Sequence, residues 1–415
     1  MRHFLILMHR YVGLMLVPFL LIVGLTGSVL AFYDGLDRWL NPSLLTVPVP
    51  ENDPGTPFDP FALRGKAEAL QPRGRVDWFD LRYKPGRTVR YFLLPRINPE
   101  TGEPFKLPYN EMYFNPYTGE LVGTRTFAKT LFAKESVMSF LYRLHYALAM
   151  PDQLFRFGSL VLGVAALLWF FDNFVGLYLT FPARQKQNGK PREKSNPPGK
   201  SLRRFLKRWK PAWKVKFSRF TYDLHRASGL WVWGLLLVMA WSGMAFNLKE
   251  VYEPVMSGML NMRADAPPAV KPPVNTPLMD WRAAREHGRR HVRVASARYG
   301  FSIAQEISIA VDRERGVYDY RVKTDQDMGK GGATVTVLNA YTGELIRLTL
   351  PATDSVGDAV HRWITWLHTA RVFGRPMQII VCTTGIIVVS LSVTGVMIWW
   401  RKRTPNKNSG LAGDA

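Results

Sequence analysis

Residues 9–32, HRYVGLMLVPFLLIVGLTGSVLAF, recur in altered form at residues 225–248, HRASGLWVWGLLLVMAWSGMAFNL. The offset is 216 positions throughout, so His9 falls on His225. Each stretch begins with a histidine and continues with about 20 mostly apolar residues, the length that a helix needs to cross a bilayer. Self-similarity at a fixed offset indicates two copies of one structural unit. The sequence therefore predicts a tandem repeat built around membrane-spanning helices.

Two further segments repeat at nearly the same offset. FNPYTGELVG at 114–123 matches LNAYTGELIR at 338–347, and the Leu-His dipeptide that ends in His145 matches the one that ends in His368. Each half thus contains two apolar segments, an even number, so both copies enter the membrane in the same orientation. The four predicted spans cover residues 11–33, 155–181, 229–248 and 376–400.

The net charge of +23 is concentrated in a few parts of the chain. A basic excess of this size is typical of nucleic-acid-binding proteins. Here, however, the two termini and the loop 183–219 together contribute +18, whereas the long loops 34–153 and 247–375 are nearly neutral. Basic loops stay in the cytoplasm. The charge therefore predicts cytoplasmic termini and long loops on the opposite side of the bilayer, and it does not indicate a nucleic-acid partner.

Several kinds of chemistry are excluded. A chain that is 47% hydrophobic is not disordered, and a single cysteine, Cys382, rules out disulfides and thiolate metal sites. There is no P-loop, dinucleotide fingerprint, nucleophile elbow or HExxH motif. We therefore predict no catalytic side chain. Any electron donor has to be a quinol, a reduced flavin or a separate reductase protein.

The two long loops read as small α+β units. Periodic patterns predict helices at 61–71 and 281–299 and a Pro-rich linker at 266–277. Strands are expected on both sides of the turn at 84–86. Further strands are expected at 111–123, 307–313, 318–324 and 333–348. The first and last of these ranges each contain a hairpin that turns at a TGE motif.

The paired TGE hairpins, Thr394-Gly395 ahead of Trp399, and Leu-His before a span resemble the PepSY-associated transmembrane family. The resemblance covers nearly the whole chain. It implies an integral membrane α-helical protein with four transmembrane helices in two tandem repeats and two periplasmic α+β PepSY-like domains, in the bacterial inner membrane. Some members are di-haem reductases of ferric siderophores, ferrioxamine among them, and this sequence is similar to those.

The predicted organisation follows from the repeat, the charge and the resemblance. In chain order we expect a first span (1–34), a PepSY-like domain (35–134), a His-bearing helix with the second span (135–182), a basic cytoplasmic loop (183–219), a third span (220–250), a second PepSY-like domain (251–354), a second His-bearing helix with the fourth span (355–401) and a cytoplasmic tail (402–415).

Four of the eight histidines occupy repeat-matched positions at span ends. A haem b held by two histidines needs two neutral imidazoles from separate parts of the chain. We predict that His9 and His225 ligate the iron of one haem on the cytoplasmic side, and that His145 and His368 ligate a second on the opposite side. The alternative for each is an interfacial histidine that bonds to lipid headgroups or backbone.

Weaker candidates surround these ligands. His361 lies two helical turns before His368 and competes with it as a ligand, or lines a substrate mouth. Arg10 and Arg226 each follow a predicted ligand and either pair with haem propionates or act as positive-inside anchors.

Glycines near the predicted ligands either admit a flat macrocycle or permit tight helix packing. Aromatic residues near the outer mouth, such as Trp366, either pave a docking surface or form an interfacial belt.

The leading hypothesis is a reductase with two haem b groups that passes electrons across the membrane, reduces a periplasmic ferric siderophore and releases Fe(II). Hard oxygen ligands hold iron less strongly once its charge falls. Two alternatives stay open. One is a haem-free PepSY regulator or sensor of a peptidase or ligand, and the other is a quinol-linked haem oxidoreductase with a different acceptor.

Overall fold

The computed structural model describes residues 1–50, 57–181, 186–187, 190–191, 209–211, 215–263, 279–329, 331–351 and 355–403. The predicted linker at 266–277, most of the basic loop at 183–219 and the tail beyond residue 403 lie outside these ranges. The described chain forms a bundle of long apolar helices joined to a sheet-containing region.

The helices, in chain order, are α1 (Arg2–Leu30), α2 (Tyr33–Leu40), α3 (Pro42–Leu45), α4 (Pro60–Leu70), α5 (Val137–Ala147), α6 (Phe155–Thr180), α7 (Phe217–Trp231), α8 (Trp233–Asn247), α9 (Lys249–Leu260), α10 (Trp281–Tyr299), α11 (Val356–His368) and α12 (Arg375–Arg403). Short 3₁₀ turns at Lys134–Ser136 and Asp152–Leu154 precede α5 and α6.

Three helical segments of the described chain are long and apolar enough to cross a membrane, and the α7–α8 pair adds a fourth crossing if it is counted as one span. Large apolar side chains on α1, α6 and α12 point outward: Leu25, Phe171 and Ile386 are 57%, 60% and 58% exposed. Apolar surface exposed along whole helices suits lipid rather than water. The first helix starts at Arg2, before the predicted start at residue 11, because residues 2–10 contain no Gly or Pro to break it.

The third crossing is broken. α7 and α8 meet at 69° around Val232. Ser228-Gly229 comes just before the break and Gly234 just after it, and sharp kinks concentrate at such residues. The predicted span 229–248 therefore starts too late and misses the bend, because its apolar composition shows no sign of a change in helix direction.

The helices pack so that each His-bearing helix lies against a span. α1 contacts α12 and α6, α6 contacts α8, and α7 contacts α12. α5, which carries His145, packs on α1, and α11, which ends at His368, packs on α8. This arrangement brings residues that are more than 100 positions apart in sequence to common depths of the bundle.

The strands are β1 (Gly74–Arg75), β2 (Trp78–Asp80), β3 (Val89–Phe92), β4 (Leu94–Pro95), β5 (Glu111–Phe114), β6 (Leu121–Arg125), β7 (Lys186–Gln187), β8 (Lys190–Pro191), β9 (Ile303–Asp312), β10 (Val317–Thr324), β11 (Thr334–Asn339) and β12 (Leu345–Thr349). They form antiparallel sheets of order β12-β11-β10-β9-β2, β3-β5-β6, β1-β4 and β7-β8.

The five-stranded sheet combines strands from both long loops. β2 belongs to the first loop, yet it pairs with β9 of the second, with Trp78 opposite Ala310 and Asp80 opposite Ser308. The turn at 84–86 accordingly does not close a hairpin, since β3 pairs with β5 instead. The prediction of PepSY-like domains at 35–134 and 251–354 does not include this pairing of β2 with β9. No local sequence pattern specifies a strand partner about 230 residues away.

The predicted TGE hairpins are present, as β5–β6 and β11–β12. Each turns at a glycine in the left-handed region, Gly119 with φ of +70° and Gly343 with φ of +76°. A side chain at either position would be strained, so glycine is the residue that these turns require.

The largest apolar core of the sheet-containing region is shared by the two long loops. Phe79 and Tyr91 of the first loop pack with Trp281 and Tyr318 of the second, and the rings of Phe79 and Trp281 have centroids 5.3 Å apart. All four side chains are less than 10% exposed. The two loops therefore share a core as well as a sheet.

Candidate functional site

The bundle brings the four repeat-matched histidines together as two pairs. The imidazole rings of His9 and His225 have centroids 6.4 Å apart and planes inclined at 67°. The rings of His145 and His368 have centroids 6.1 Å apart and planes inclined at 77°. In each pair one histidine comes from the first half of the chain and the other from the second half.

The two pairs lie at opposite ends of the spans. α1 carries His9 near its start and Thr26, which contacts His145, near its end. These two positions are 17 residues apart, which is about 25 Å along a helix. The hydrocarbon core of a bilayer is about 30 Å thick. The histidine pairs are thus separated by nearly the depth of a membrane.

A hydroxyl fixes each imidazole of the pair at the end of α1. Thr26 Oγ1 lies 2.9 Å from Nδ1 of His145 and donates to the Ile22 carbonyl at 2.6 Å. Ser242 Oγ lies 2.5 Å from Nδ1 of His368 and donates to the carbonyl four residues earlier in α8. A hydroxyl has one proton, and here it goes to the backbone. With the hydroxyl proton on that backbone bond, Nδ1 of both histidines is assigned as the donor.

The other pair is held by one hydroxyl and one carboxylate. Thr394 Oγ1 donates to the Ser390 carbonyl and accepts from Nδ1 of His225 at 2.9 Å. Nδ1 of His9 lies 3.0 Å from both carboxylate oxygens of Asp172, which is 7% exposed. A carboxylate accepts and does not donate. Both imidazoles of this pair therefore also carry their proton on Nδ1.

Since Nδ1 is protonated in all four rings, the lone pair of each neutral imidazole lies on Nε2. This is the form in which histidine ligates a metal, with Nδ1–H held by a carboxylate or another acceptor. A metal about 2 Å from one nitrogen of each ring places the two ring centroids about 6.3 Å apart. The observed separations of 6.4 and 6.1 Å are close to that value, and they also lie within the range of ordinary edge-to-face ring contacts. The residues present fit a bis-histidine haem at both sites.

Glycines adjoin three of the four imidazoles. A Cβ at Gly27 would lie 3.0 Å from Cε1 of His145, and one at Gly176 would lie 3.3 Å from Cε1 of His9. A Cβ at Gly395 would lie 3.5 Å from Cε1 of His225. By contrast, Gly24 packs against α12. Three glycines thus leave room beside an imidazole and Gly24 permits close helix packing, while the approach of a macrocycle to these glycines stays a prediction.

His361 is not part of either pair. Its Nδ1 lies 3.0 Å from Tyr252 Oη, and the two rings have centroids 5.5 Å apart. His368, not His361, faces His145. The geometry thus favours His368 as the ligand and places His361 on the side of α11 toward Tyr252.

Arg10 and Arg226, which follow His9 and His225 in the sequence, lie in different surroundings. Arg226 donates to Asp223 at 2.9 Å and lies over the ring of Tyr222. Arg10 is half-buried on α1. An ion pair within α7 accounts for the position of Arg226 without a propionate, so contact with a haem propionate stays a prediction for both residues.

The hydroxyl partners were not identified from the sequence, although a signal for them exists. Thr26, Ser242 and Thr394 each immediately precede a glycine, and Thr26 and Ser242 are separated by the repeat offset of 216. The glycine admits the imidazole to the helix surface in two of these cases, and the preceding hydroxyl bonds to it in all three. A Thr-Gly or Ser-Gly dipeptide facing a histidine is therefore the pattern to look for.

Within the residues that the structure describes, there is no cluster of three or more His, Cys, Asp or Glu side chains that could hold a metal ion. A family profile for the PepSY-associated TM region matches residues 6–402. No curated protein matches the sequence.

Proposed function

The chain belongs to the PepSY-associated transmembrane family, and we propose that it is a membrane reductase that binds two haem b groups and passes electrons to a ferric siderophore. The observation that carries the proposal is that Nδ1 of each of the four paired histidines lies within 3.0 Å of a buried hydroxyl or carboxylate oxygen. With Nδ1 engaged in this way, Nε2 of each ring is left as the nitrogen that would ligate a metal.

The hydrogen bonds support ligation rather than a structural role. An interfacial histidine needs no buried partner of fixed orientation, whereas the four acceptors here are all less than 10% exposed. Buried partners that orient an imidazole are the usual companions of a metal-bound histidine. A bis-histidine haem supplies one-electron transfer when bound. The protein supplies the two ligand pairs, their orientation and their placement at two depths.

The proposed route follows from the charge distribution. The His9–His225 pair lies on the basic, cytoplasmic side and would receive electrons from a quinol, a reduced flavin or a reductase protein. The His145–His368 pair lies on the periplasmic side, next to the sheet-containing region, where a ferric siderophore would dock. Reduction of the siderophore iron to Fe(II) weakens its oxygen ligands and releases it.

The direct test is the absorption spectrum and haem content of the full-length protein purified in detergent. We expect two haem b equivalents per chain and a dithionite-induced shift of the Soret and α bands. The matched variant pair is Thr26→Val and Thr130→Val. The first removes the acceptor for His145 and should disturb one haem, while the second changes a threonine outside both pairs.

A colourless protein from cells supplied with haem precursor would reject the proposal and favour the regulator or sensor. If haem is bound, ferric siderophore added anaerobically to the reduced protein should return the spectrum to its oxidised form. A haem-loaded protein that no ferric chelate oxidises above the background rate would instead favour the quinol-linked oxidoreductase.

A further inference from the structure

Helix α10 carries two histidines that the proposed reductase does not use. His287 and His291 are four residues apart, so their side chains lie one turn apart on the same side of the helix. Both are half-buried. Burial, together with the nearby His287 and Arg290, lowers the pKa of His291. Two imidazoles at this spacing on a helix can bind one metal ion together, as they do in the zinc sites of metalloproteases.

Neither imidazole is engaged by the rest of the protein. Among the residues that the structure describes, no hydrogen bond, ion pair or ring contact involves His287 or His291. The four paired histidines differ, since each of them is bonded through Nδ1. A neutral imidazole has one nitrogen with a free lone pair. Both rings of α10 therefore have a nitrogen available for a ligand.

A thioether lies beside His287, at the turn of the second TGE hairpin. A Cβ at Gly343 would lie 2.7 Å from Nδ1 of His287 and 2.9 Å from Cε of Met279. The backbone of Met279 is held in place, because its N–H donates to the Ala340 carbonyl and its carbonyl accepts from the hydroxyl of Tyr318. The imidazole and the thioether methyl therefore cover the same turn from two sides.

The arginines of α10 leave this side of the helix open to a cation. Arg285 and Arg289 both bond to Glu306 of β9. At 3.6 residues per turn, they lie about 160° around the helix from the two histidines. Arg290, which precedes His291, is exposed, so water and salt screen its charge.

The kinds of ligand indicate which metal fits. Imidazole nitrogen suits copper, zinc, nickel and iron, whereas a thioether is a soft ligand that favours Cu(I). A structural zinc ion takes four ligands from thiolate, imidazole and carboxylate groups. Within the described part of the chain, no carboxylate joins the two histidines to form a group of three such side chains. Two imidazoles and a thioether therefore suit copper better than zinc.

We propose that His287, His291 and Met279 form a copper site in the sheet-containing region. The two imidazoles bind Cu(II), and the sulfur of Met279 adds a ligand for Cu(I). Copper replaces water at these side chains, and its oxidation state does not change on binding. The site is separate from the paired histidines, so it does not depend on haem or on the reductase function.

The test is the copper affinity of the full-length protein in detergent, measured by competition with a chromogenic chelator. Cu(II) is titrated in air, and Cu(I) is titrated anaerobically with ascorbate present. Every protein carries His3→Ala, which removes a competing exposed imidazole near the amino terminus. We expect pulsed EPR of the bound Cu(II) to show couplings to two imidazoles.

His287→Ala and His291→Ala should each weaken Cu(II) binding at least about tenfold, because the loss of a ligand costs no less than the loss of an outer partner. The double variant should lose little more than either single variant, since both residues bind the same ion. Met279→Leu should weaken Cu(I) binding and leave Cu(II) binding unchanged.

The matched control is Val294→Ala, on the same helix. The side chain of Val294 is 65% exposed and has no donor atom, so its truncation should leave the affinity for both copper ions unchanged. Thermal unfolding shows that each variant is folded. Copper held by the four paired histidines of a haem-free protein would not respond to His287→Ala, which distinguishes the two kinds of site.

The proposal is overturned if folded His287→Ala or His291→Ala binds Cu(II) as tightly as the parent protein. Losses that simply add in the double variant would also overturn it, because they would show two independent sites. Equal Cu(I) affinity in Met279→Leu and the parent would overturn the three-ligand site. A colourless protein that gives the expected copper results rejects the reductase function alone, and a haem protein that does not give them rejects the copper site alone.

Discussion

Asp172 accepts a hydrogen bond from His9, with Nδ1 3.0 Å from each carboxylate oxygen, whereas the facing His225 bonds to the hydroxyl of Thr394. The pair near the start of α1 is therefore asymmetric. In the other pair both partners are hydroxyls, Thr26 and Ser242. A carboxylate makes its imidazole a more basic ligand than a hydroxyl does.

The first prediction concerns Asp172→Asn. A less basic His9 stabilises Fe(III) less, so the reduction potential of the haem at the His9–His225 pair (the inner haem) should rise. The potential of the haem at the His145–His368 pair (the outer haem) should stay unchanged. Potentiometric titration followed by absorbance measures both. The control is Thr26→Ser, which keeps the hydroxyl of the outer pair. A rise equal in both haems, or none, would argue against the assignment of Asp172 to the inner haem.

The second prediction separates His368 from its competitor. His368→Ala and His145→Ala should each remove one haem equivalent, because each loses one of two ligands to the same iron. His361→Ala should retain both haems, since His361 bonds to Tyr252 and lies outside the pair. Haem content by the pyridine haemochrome assay decides this. Loss of haem in His361→Ala with retention in His368→Ala would show that the second pair is wrongly assigned.

The third prediction concerns the connection between α2 and the first sheet. Arg125 is 2% exposed and bonds to Glu111 at 2.6 Å and to Asp37 at 3.0 Å. Arg125→Ala leaves buried Asp37 without its cation and Glu111 with Arg90 alone, and it should destabilise the protein by about 3–5 kcal/mol. Thermal unfolding in detergent measures the loss.

The control for Arg125 is Arg315→Ala, which breaks the exposed pair with Asp312 and should cost about 0–1 kcal/mol. Similar unfolding midpoints for the two variants would show that the buried network contributes no more than a surface pair.

The fourth prediction is a pH dependence at Glu306 of β9. Burial opposes its ionisation, but hydrogen bonds from Arg289 and Arg285 of α10 outweigh burial and lower the pKa of Glu306 to about 2. A folded pKa below the ordinary value of 4.5 means that ionised Glu306 stabilises the fold above about pH 4.5 and that this contribution is lost as the pH falls toward 2.

Glu306→Gln should accordingly unfold at a lower temperature than the wild type at pH 6, and the difference should shrink steadily between pH 4.5 and pH 2. Thermal melts across that range measure it. Glu314→Gln, in the turn between β9 and β10, serves as the control and should show no such convergence. A difference that does not depend on pH would mean that the substitution acts through packing.

Much of the candidate site followed from the sequence because the repeat aligns whole helices. The offset paired His9 with His225 and His145 with His368, and the structure places the members of each pair side by side. Their partners could not be inferred in the same way. Asp172 is an isolated carboxylate within an apolar segment of the sequence, and its distance to His9 depends on how α6 packs on α1.

The fold was predictable where the signals are local. The helix Trp281–Tyr299 and both TGE hairpins have their own periodicity and turn residues. The pairing of β2 with β9 depends on tertiary packing, which overrides the preferences of a short segment. The bend at Val232 has only a weak local signal, the glycines on either side of it. The turn at 84–86 shows the limit of local signals. Its sequence favours a turn, but the strands that it joins, β2 and β3, pair with β9 and β5 and not with each other.

The exchange of β2 into the other half has a consequence for how such a chain arises and is inherited. A single ancestral unit would have had to fill that sheet edge itself or borrow the strand from a second copy. Because β2 and β9 now belong to different halves of one chain, a gene fragment that encodes either half alone yields a protein with an unpaired sheet edge and an incomplete core. Each half therefore depends on the other for a complete sheet and core, and either half expressed alone should be less stable than the full chain.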